Sequence, residues 1–166
     1  MKKITEVKPV EEDFELLAMD KVRIIGLTVE CHDPRGEEAS LLWYNLLGTE
    51  TQDKLVALPD VLGGEALFGF MLNPKEDGSF TYLLGAMTPA ETPVPDGFSY
   101  MDVPACTVAK GCFGDTLTQT LDRIKEKGYA PDFAPFKWNA EMFFRAEDEQ
   151  YGDTNRMPRR WIVPVK

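Results

Sequence analysis

Apolar runs separated by polar loops define the elements that this chain predicts. Residues 22–30 (VRIIGLTVE) are rich in β-branched side chains and predict a strand. In residues 37–48 (EEASLLWYNLLG) the apolar positions have helical spacing, and Gly48 follows them as a stop. Residues 65–72 and 79–88 predict two more strands joined by a hairpin turn. The first half therefore has the order strand, helix, strand, strand.

The same order recurs after residues 89–97 (PAETPVPDG), which have the proline content of a linker. Residues 98–112 predict extended segments broken at Pro104. Asp115 is expected to cap a helix that ends at Gly128. Residues 136–145 (FKWNAEMFFR) predict a strand, and residues 160–166 (RWIVPVK) predict a last one that Pro164 would confine to a sheet edge.

This repeated order predicts an α+β fold over residues 1–166, organised as one domain. Two β-α-β-β halves, residues 14–88 and 98–166, would share one antiparallel sheet. The halves have little residue identity, so the repeat is one of pattern.

Charge and cysteine content narrow the functional classes. Lys and Arg number 18 against 28 Asp and Glu, giving a net charge of −10. This balance argues against direct nucleic-acid binding and favours attraction of cationic ligands. Three cysteines, an odd number, fit reduced thiols and predict a cytoplasmic protein. No secretory signal and no apolar run of membrane-spanning length is expected.

The strand at residues 136–145 contains the most informative polar residue, Glu141. Strand alternation places Glu141 and Phe143 on one face with Lys137, Asn139 and Arg145. The other, mostly apolar face predicts core packed against a helix. From the residues alone, Glu141 is either solvated or paired with one of the two cations.

The remaining motifs predict neither a metal nor a cofactor. His32 lies between Cys31 and Asp33, but no second cluster completes a tetrahedral site, and a surface loop is expected. Residues 111–115 (GCFGD) lack the pattern of a phosphate-binding loop.

Several motifs taken together resemble a known family. They are RIIGLTVE, the helix around LLW, FGFML, FTYLLG, DVPACTVAKGCFG, AEMFF and RWIVPV, and they span residues 14–165. In this order they resemble the GyrI-like family, the effector-binding domain of AraC-type and multidrug-responsive transcription regulators. The resemblance implies a stand-alone member without the helix-turn-helix domain that regulators add.

The resemblance also implies a ligand site. Family members bind amphipathic, often cationic, small molecules in a cleft between the halves, where a glutamate meets the ligand's charge. Glu141 falls at that position, and Phe143 replaces the tyrosine that usually follows two residues later, which removes a hydroxyl. The predicted ligand-binding residues are Glu141, Phe143, Phe68, Phe70, Tyr82, Trp43, Tyr100 and Trp161. Trp138 is left out, since it lies on the opposite strand face.

Three functions follow from these expectations. The leading one is binding of an amphipathic small molecule, expected to be cationic, for sensing, sequestration or resistance. The second is a hydrolase in which Glu141 activates water and a tyrosine, Tyr82 or Tyr100, assists the leaving oxygen; the one candidate for a second carboxylate is Glu65. The third is an acidic inhibitor of a DNA-handling enzyme such as gyrase, which would bind a basic protein partner.

Overall fold

The computed structural model describes residues 14–32, 36–62, 67–112, 114–132, 138–143 and 159–166. These residues form eight strands and three helices. In chain order they are β1 (Glu15–Met19), β2 (Val22–Cys31), α1 (Glu37–Leu46), α2 (Glu50–Val56), β3 (Leu67–Leu72), β4 (Phe80–Pro89), β5 (Ser99–Val103), β6 (Cys106–Lys110), α3 (Leu117–Glu126), β7 (Asn139–Phe143) and β8 (Arg159–Val165).

All eight strands join one antiparallel sheet in the order β1-β6-β8-β7-β3-β4-β2-β5. The order is symmetric about its centre, because β6-β8-β7 mirrors β2-β4-β3. Each edge strand pairs with the other half: β1 lies beside β6, and β5 lies beside β2. The predicted α+β fold with duplicated halves and a shared antiparallel sheet is therefore confirmed.

The sheet curls into a half-barrel, and among the described residues its interior face is filled without any helix. One buried cluster on this face contains Met19 of the edge strand β1 and Val103 of the opposite edge strand β5. Phe68, Phe70 and Met142 of the central strands belong to the same cluster. No residue of the three helices does. None of the three described helices therefore provides the predicted packing against this face, and the sheet's own curvature covers it instead.

A glycine pair permits the close approach of two strands. Gly26 in β2 pairs with Gly85 in β4. A side-chain carbon on either residue would collide with backbone atoms of the other strand. Glycine inside a strand is typical of such close approaches and of corners in curved sheets.

The three helices all cover the other face, here called the helix-side face. Residues of α1 and α2, including Leu46 and Leu55, form one cluster with Leu84 of the sheet. Ile124 of α3 forms a separate cluster with residues of β6 and β8. Met71 of β3 packs against both clusters. On this face, the central strands β3 and β7 therefore lie where two groups of helices meet. We call these groups the two helical layers: α1 with α2 on one side, and α3 on the other.

Two sequence predictions are corrected by this fold. Pro164 does not mark an edge strand, since β8 lies between β6 and β7. The β7 ladder covers only the first part of β8, up to Ile162, so the missing N–H of Pro164 lies beyond it. Asp115 does not cap α3; the cap is Thr116, which forms a capping box with Gln119.

Candidate functional site

Glu141 occupies the centre of the helix-side face. It lies on β7 between Gly69 of β3 and Trp161 of β8, with which it pairs directly in the two ladders. Glu141 and Phe143 are partly exposed, whereas Ala140 and Met142 between and beside them are buried in the sheet interior. Glu141 thus lies between Gly69, whose strand contacts the cluster of α1 and α2, and Trp161, which belongs to the cluster of α3.

A second polar group lies over Gly69. A side-chain carbon at Gly69 would collide with the hydroxyl oxygen of Tyr82, so this hydroxyl occupies the space that the glycine leaves. Side chains of directly paired residues stand only about 5 Å apart at Cβ. The Tyr82 hydroxyl is therefore next to the position of Glu141 on the same face.

Trp43 of helix α1 contacts both Tyr82 and Phe143. Its indole Nε1 donates a hydrogen bond of 2.7 Å to the Tyr82 hydroxyl. Its ring also meets Phe143 edge to face, with centroids 4.7 Å apart and an interplanar angle of 68°. Trp43, Tyr82, Phe143 and Trp161 thus place aromatic rings around the position of Glu141.

Helix α1 positions Trp43 through its buried face and its first turn. Ala39 and Leu46 are buried against the sheet. Glu38 in the first turn accepts the backbone N–H of His32 at 3.2 Å, which ties the start of the helix to the end of β2. Backbone N–H groups of Glu38 itself and of His32 lower the pKa of the Glu38 carboxyl. The helix carrying Trp43 is thereby anchored at its N-terminus.

Two of the predicted site residues lie on the opposite face. Phe68 and Phe70 are fully buried in the sheet interior, where their rings stack at 5.5 Å between centroids. Trp138 packs beside Phe70 at 6.3 Å, on the face that the sequence predicts for it. The structure therefore separates this aromatic group from Glu141 by the thickness of the sheet.

Tyr100 is also distant from Glu141. It lies on the edge strand β5, is 55% exposed, and carries the guanidinium of Arg23 over its ring at 4.6 Å. Strand β5 is four positions from β7, roughly 19 Å along the sheet at the usual spacing of about 4.8 Å. The structure brings Glu141 together with Phe143, Tyr82, Trp43 and Trp161, but not with Tyr100.

Sequence reasoning missed two positions on β3 and β7. Gly69 gives space to the Tyr82 hydroxyl opposite Glu141, and Asn139 shares the face of Glu141 two residues earlier. Strand alternation alone predicts that Asn139 lies on the face of Glu141. That Gly69 pairs with Glu141 can be known only from the register between the two strands. Lys137 and Arg145, the alternative partners predicted for Glu141, lie outside the described residues, as does Glu65.

Among the described residues we find no reactive thiol and no metal-binding cluster near Glu141. Burial raises the pKa of the Cys31 thiol, and the nearby Glu38 carboxylate raises it further. No group of three or more His, Cys, Asp or Glu residues among the described positions could hold a metal ion. No described helix has the length and hydropathy needed to cross a bilayer.

Comparison with known proteins shows similarity at the level of the fold. No family model matches the chain, and no curated protein matches its sequence. The structure of SAV2435 bound to tetraphenylphosphonium is similar with a TM-score of 0.64 and 12% identity, covering 93% of this chain and 94% of that one. The EcmrR C-terminal domain gives a TM-score of 0.54 and 13% identity over 93% and 97% of the two chains.

A third similar structure is a proposed transcription regulation protein of Staphylococcus aureus MU50. Its TM-score is 0.59 at 12% identity, and the match covers 93% of this chain and 98% of that one. Identities this low show a shared fold. The fold is consistent with the GyrI-like family that the motifs resemble.

Proposed function

We propose that this protein binds an amphipathic, cationic small molecule on its helix-side face, with Glu141 as the counter-charge. The observation that carries the proposal is the position of Glu141 between the two helical layers, among the rings of Trp43, Tyr82, Phe143 and Trp161. Such binding would serve sensing, sequestration or resistance.

The arrangement suits a cation for two physical reasons. A carboxylate that is partly removed from water gains more from a nearby positive charge than a fully solvated one does. Each aromatic face within about 6 Å of a cation adds roughly 0.5–2 kcal/mol. The rings also supply apolar area for the uncharged part of an amphipathic ligand. SAV2435, whose fold is similar, has been observed with the cation tetraphenylphosphonium, which supports the choice of ligand class.

A thermal-shift measurement with matched ligands tests the proposal. Tetraphenylphosphonium and a neutral compound of similar shape, triphenylphosphine oxide, would be compared on the wild type and on Glu141→Gln. A ligand that binds only the folded state raises its stability by RT ln(1 + [L]/Kd). We expect a shift with the cation on the wild type and at least a tenfold weaker Kd in the variant, since a charged pair of about 1.4 kcal/mol or more is lost.

Glu15→Gln is the matched control, because it removes the same charge from an exposed position on the edge strand β1. It should leave the cation shift unchanged, which separates a local effect of Glu141 from the net charge of −10. Equal weakening by both variants, or equal shifts with the cation and the neutral compound, would contradict the proposal.

A second candidate function is hydrolysis at the same place. The position of the Tyr82 hydroxyl over Gly69 favours it, because a tyrosine beside a carboxylate could assist a leaving oxygen while the carboxylate activates water. Of the two tyrosines predicted for this role, the geometry favours Tyr82 over the distant Tyr100. Turnover of an electrophilic cation that stops in both Tyr82→Phe and Glu141→Gln, while binding persists in Tyr82→Phe, would support hydrolysis over binding alone.

A further inference from the structure

Asn139 presents a buried hydrogen-bond acceptor on the face of Glu141. The two residues are separated by one position on β7, so both side chains leave the sheet on the helix side. The amide oxygen Oδ1 of Asn139 is buried and has no hydrogen-bond partner within the described part of the chain. Buried acceptors are normally satisfied, so one without a partner is an unusual feature that calls for an explanation.

The neighbour of Asn139 across the ladder is a side chain that can change conformation. Met71 pairs directly with Asn139 and packs against both helix-side clusters. Methionine has three rotatable bonds and adapts to irregular space at low cost. A ligand entering between the helical layers can therefore displace Met71 and reach the Asn139 oxygen.

We propose that Asn139 is a second polar contact for the ligand of the Glu141 site, and that this ligand carries N–H donors on its cationic group. The inference rests on the proposed function and narrows its ligand class. Side chains at alternate strand positions are about 7 Å apart at Cα, so one extended cationic group can address both.

Planar cations with several N–H groups fit these two acceptors best. An amidinium or guanidinium can direct two parallel N–H bonds at a carboxylate and still has N–H groups pointing outward. One of these outward groups satisfies the Asn139 oxygen. A quaternary ammonium or phosphonium has no N–H group, so it can meet the charge of Glu141 but leaves the Asn139 oxygen without a partner.

The experiment compares two probes of equal charge and similar apolar area, 4-hexylbenzamidinium and 4-hexylphenyltrimethylammonium. Their dissociation constants would be measured by calorimetry on the wild type, Asn139→Leu, Asn139→Asp and Glu141→Gln. We expect Asn139→Leu to weaken the amidinium about tenfold, as loss of one hydrogen bond from a charged donor does, and the quaternary probe less than about twofold. Asn139→Asp keeps an acceptor and adds a negative charge, so it should bind the amidinium at least as tightly as the wild type does.

The outcomes separate this inference from the proposed function. Equal weakening of both probes by Asn139→Leu, with Glu141→Gln still abolishing binding, would overturn the contact at Asn139 and leave the cation site intact. Binding of neither probe, or indifference to Glu141→Gln, would overturn the cation site itself. If Asn139→Leu does not fold, Asn139→Ala takes its place: equal weakening of both probes would overturn the inference, and weakening of the amidinium alone by about tenfold would support it.

Discussion

The two faces of the curled sheet differ in what their aromatic residues do. On the interior face, Phe68 and Phe70 are fully buried, stacked, and surrounded by apolar side chains from both edges of the sheet. On the helix-side face, Phe143 and Trp43 are only partly buried and stand beside polar groups of Glu141 and Tyr82. The interior face has the composition of a core, whereas the helix-side face combines two apolar clusters with the polar groups of the proposed ligand site.

The difference teaches that aromatic content along a strand does not by itself locate a site. Phe70 and Phe143 both lie on central strands that pair with each other, yet strand alternation sends them to opposite faces. In the described part of the chain, curvature of the sheet encloses one face without helices. The other face is covered by helices in two separate clusters, one with α1 and α2 and one with α3. Substitutions on the two faces should therefore affect different properties.

The largest expected effect is on stability, from the interior face. Phe70→Ala should lower the free energy of unfolding by about 3–5 kcal/mol, because it removes a fully buried ring. Phe143→Ala should cost only about 1–2 kcal/mol, because its ring is partly exposed. Urea denaturation of both variants measures this contrast.

Ligand affinity should show the reverse order in the same two variants. Phe143→Ala should weaken tetraphenylphosphonium severalfold, since it removes a ring from the site, while folded Phe70→Ala should bind normally. A Phe70→Ala protein that is stable but no longer binds would break the division between the two faces.

The next effect concerns the space over Gly69. Gly69→Ala would place a carbon where the Tyr82 hydroxyl lies, forcing this ring away and breaking its bond with Trp43. We expect a loss of about 1–3 kcal/mol in stability and a marked loss of ligand affinity. Combining it with Tyr82→Phe should cost less than the sum of the two, because the bond with Trp43 can be lost only once and the nearest colliding atom, the hydroxyl oxygen, is gone while the ring carbons still crowd the added carbon. Strict additivity in this double-mutant cycle would contradict the contact.

A smaller effect is expected for Tyr82→Phe alone. It removes the acceptor of the Trp43 indole N–H and should cost about 1 kcal/mol, the usual net value of one hydrogen bond. Tyr100→Phe is the control on the exposed edge strand and should be near neutral. Denaturation monitored by tryptophan fluorescence would compare the two variants. Equal losses in the free energy of unfolding would contradict the assignment of this hydrogen bond.

The smallest effect depends on pH and lies at the far edge of the sheet. The hydrogen bond from Arg23, at 2.8 Å, lowers the pKa of the Asp102 carboxyl below its ordinary value of 3.8. A carboxyl with a lowered folded pKa stabilises the fold above its unfolded pKa, and the contribution is lost as pH falls through the folded value. Asp102→Asn should therefore be less stable than the wild type at pH 7, with the difference shrinking below about pH 4. A difference that is constant with pH would contradict the pairing.

Much of the fold could be predicted from periodicity, but not all of its elements. Strand β2 and helix α1 follow clear apolar patterns and lie close to their predicted bounds. Helix α2 was missed because Leu55 is its only buried apolar residue, which leaves no periodic signal. Strand β1 was missed because its sequence, ELLAM, is made of residues that favour helices.

Only those features of the site that depend on alternation within one strand could be predicted from the sequence. Alternation correctly puts Glu141 and Phe143 on one face and Trp138 on the other, as the ladders show. It could not relate β3 to β7, because cross-strand register is a property of the assembled sheet. The inclusion of Phe68 and Phe70 in the predicted site, and the omission of Gly69, both follow from that missing register.

The three tryptophans allow the most direct test of where the ligand binds. Trp43 and Trp161 lie on the helix-side face, and Trp138 lies in the interior cluster. A ¹H–¹⁵N NMR titration with tetraphenylphosphonium would report on all three indole N–H groups and on the backbone amides of Gly69 and Glu141. We predict large shifts for Trp43, Trp161 and these two amides, with Trp138 unchanged. Shifts confined to Trp138, or to the edge strand around Tyr100, would contradict a site at Glu141.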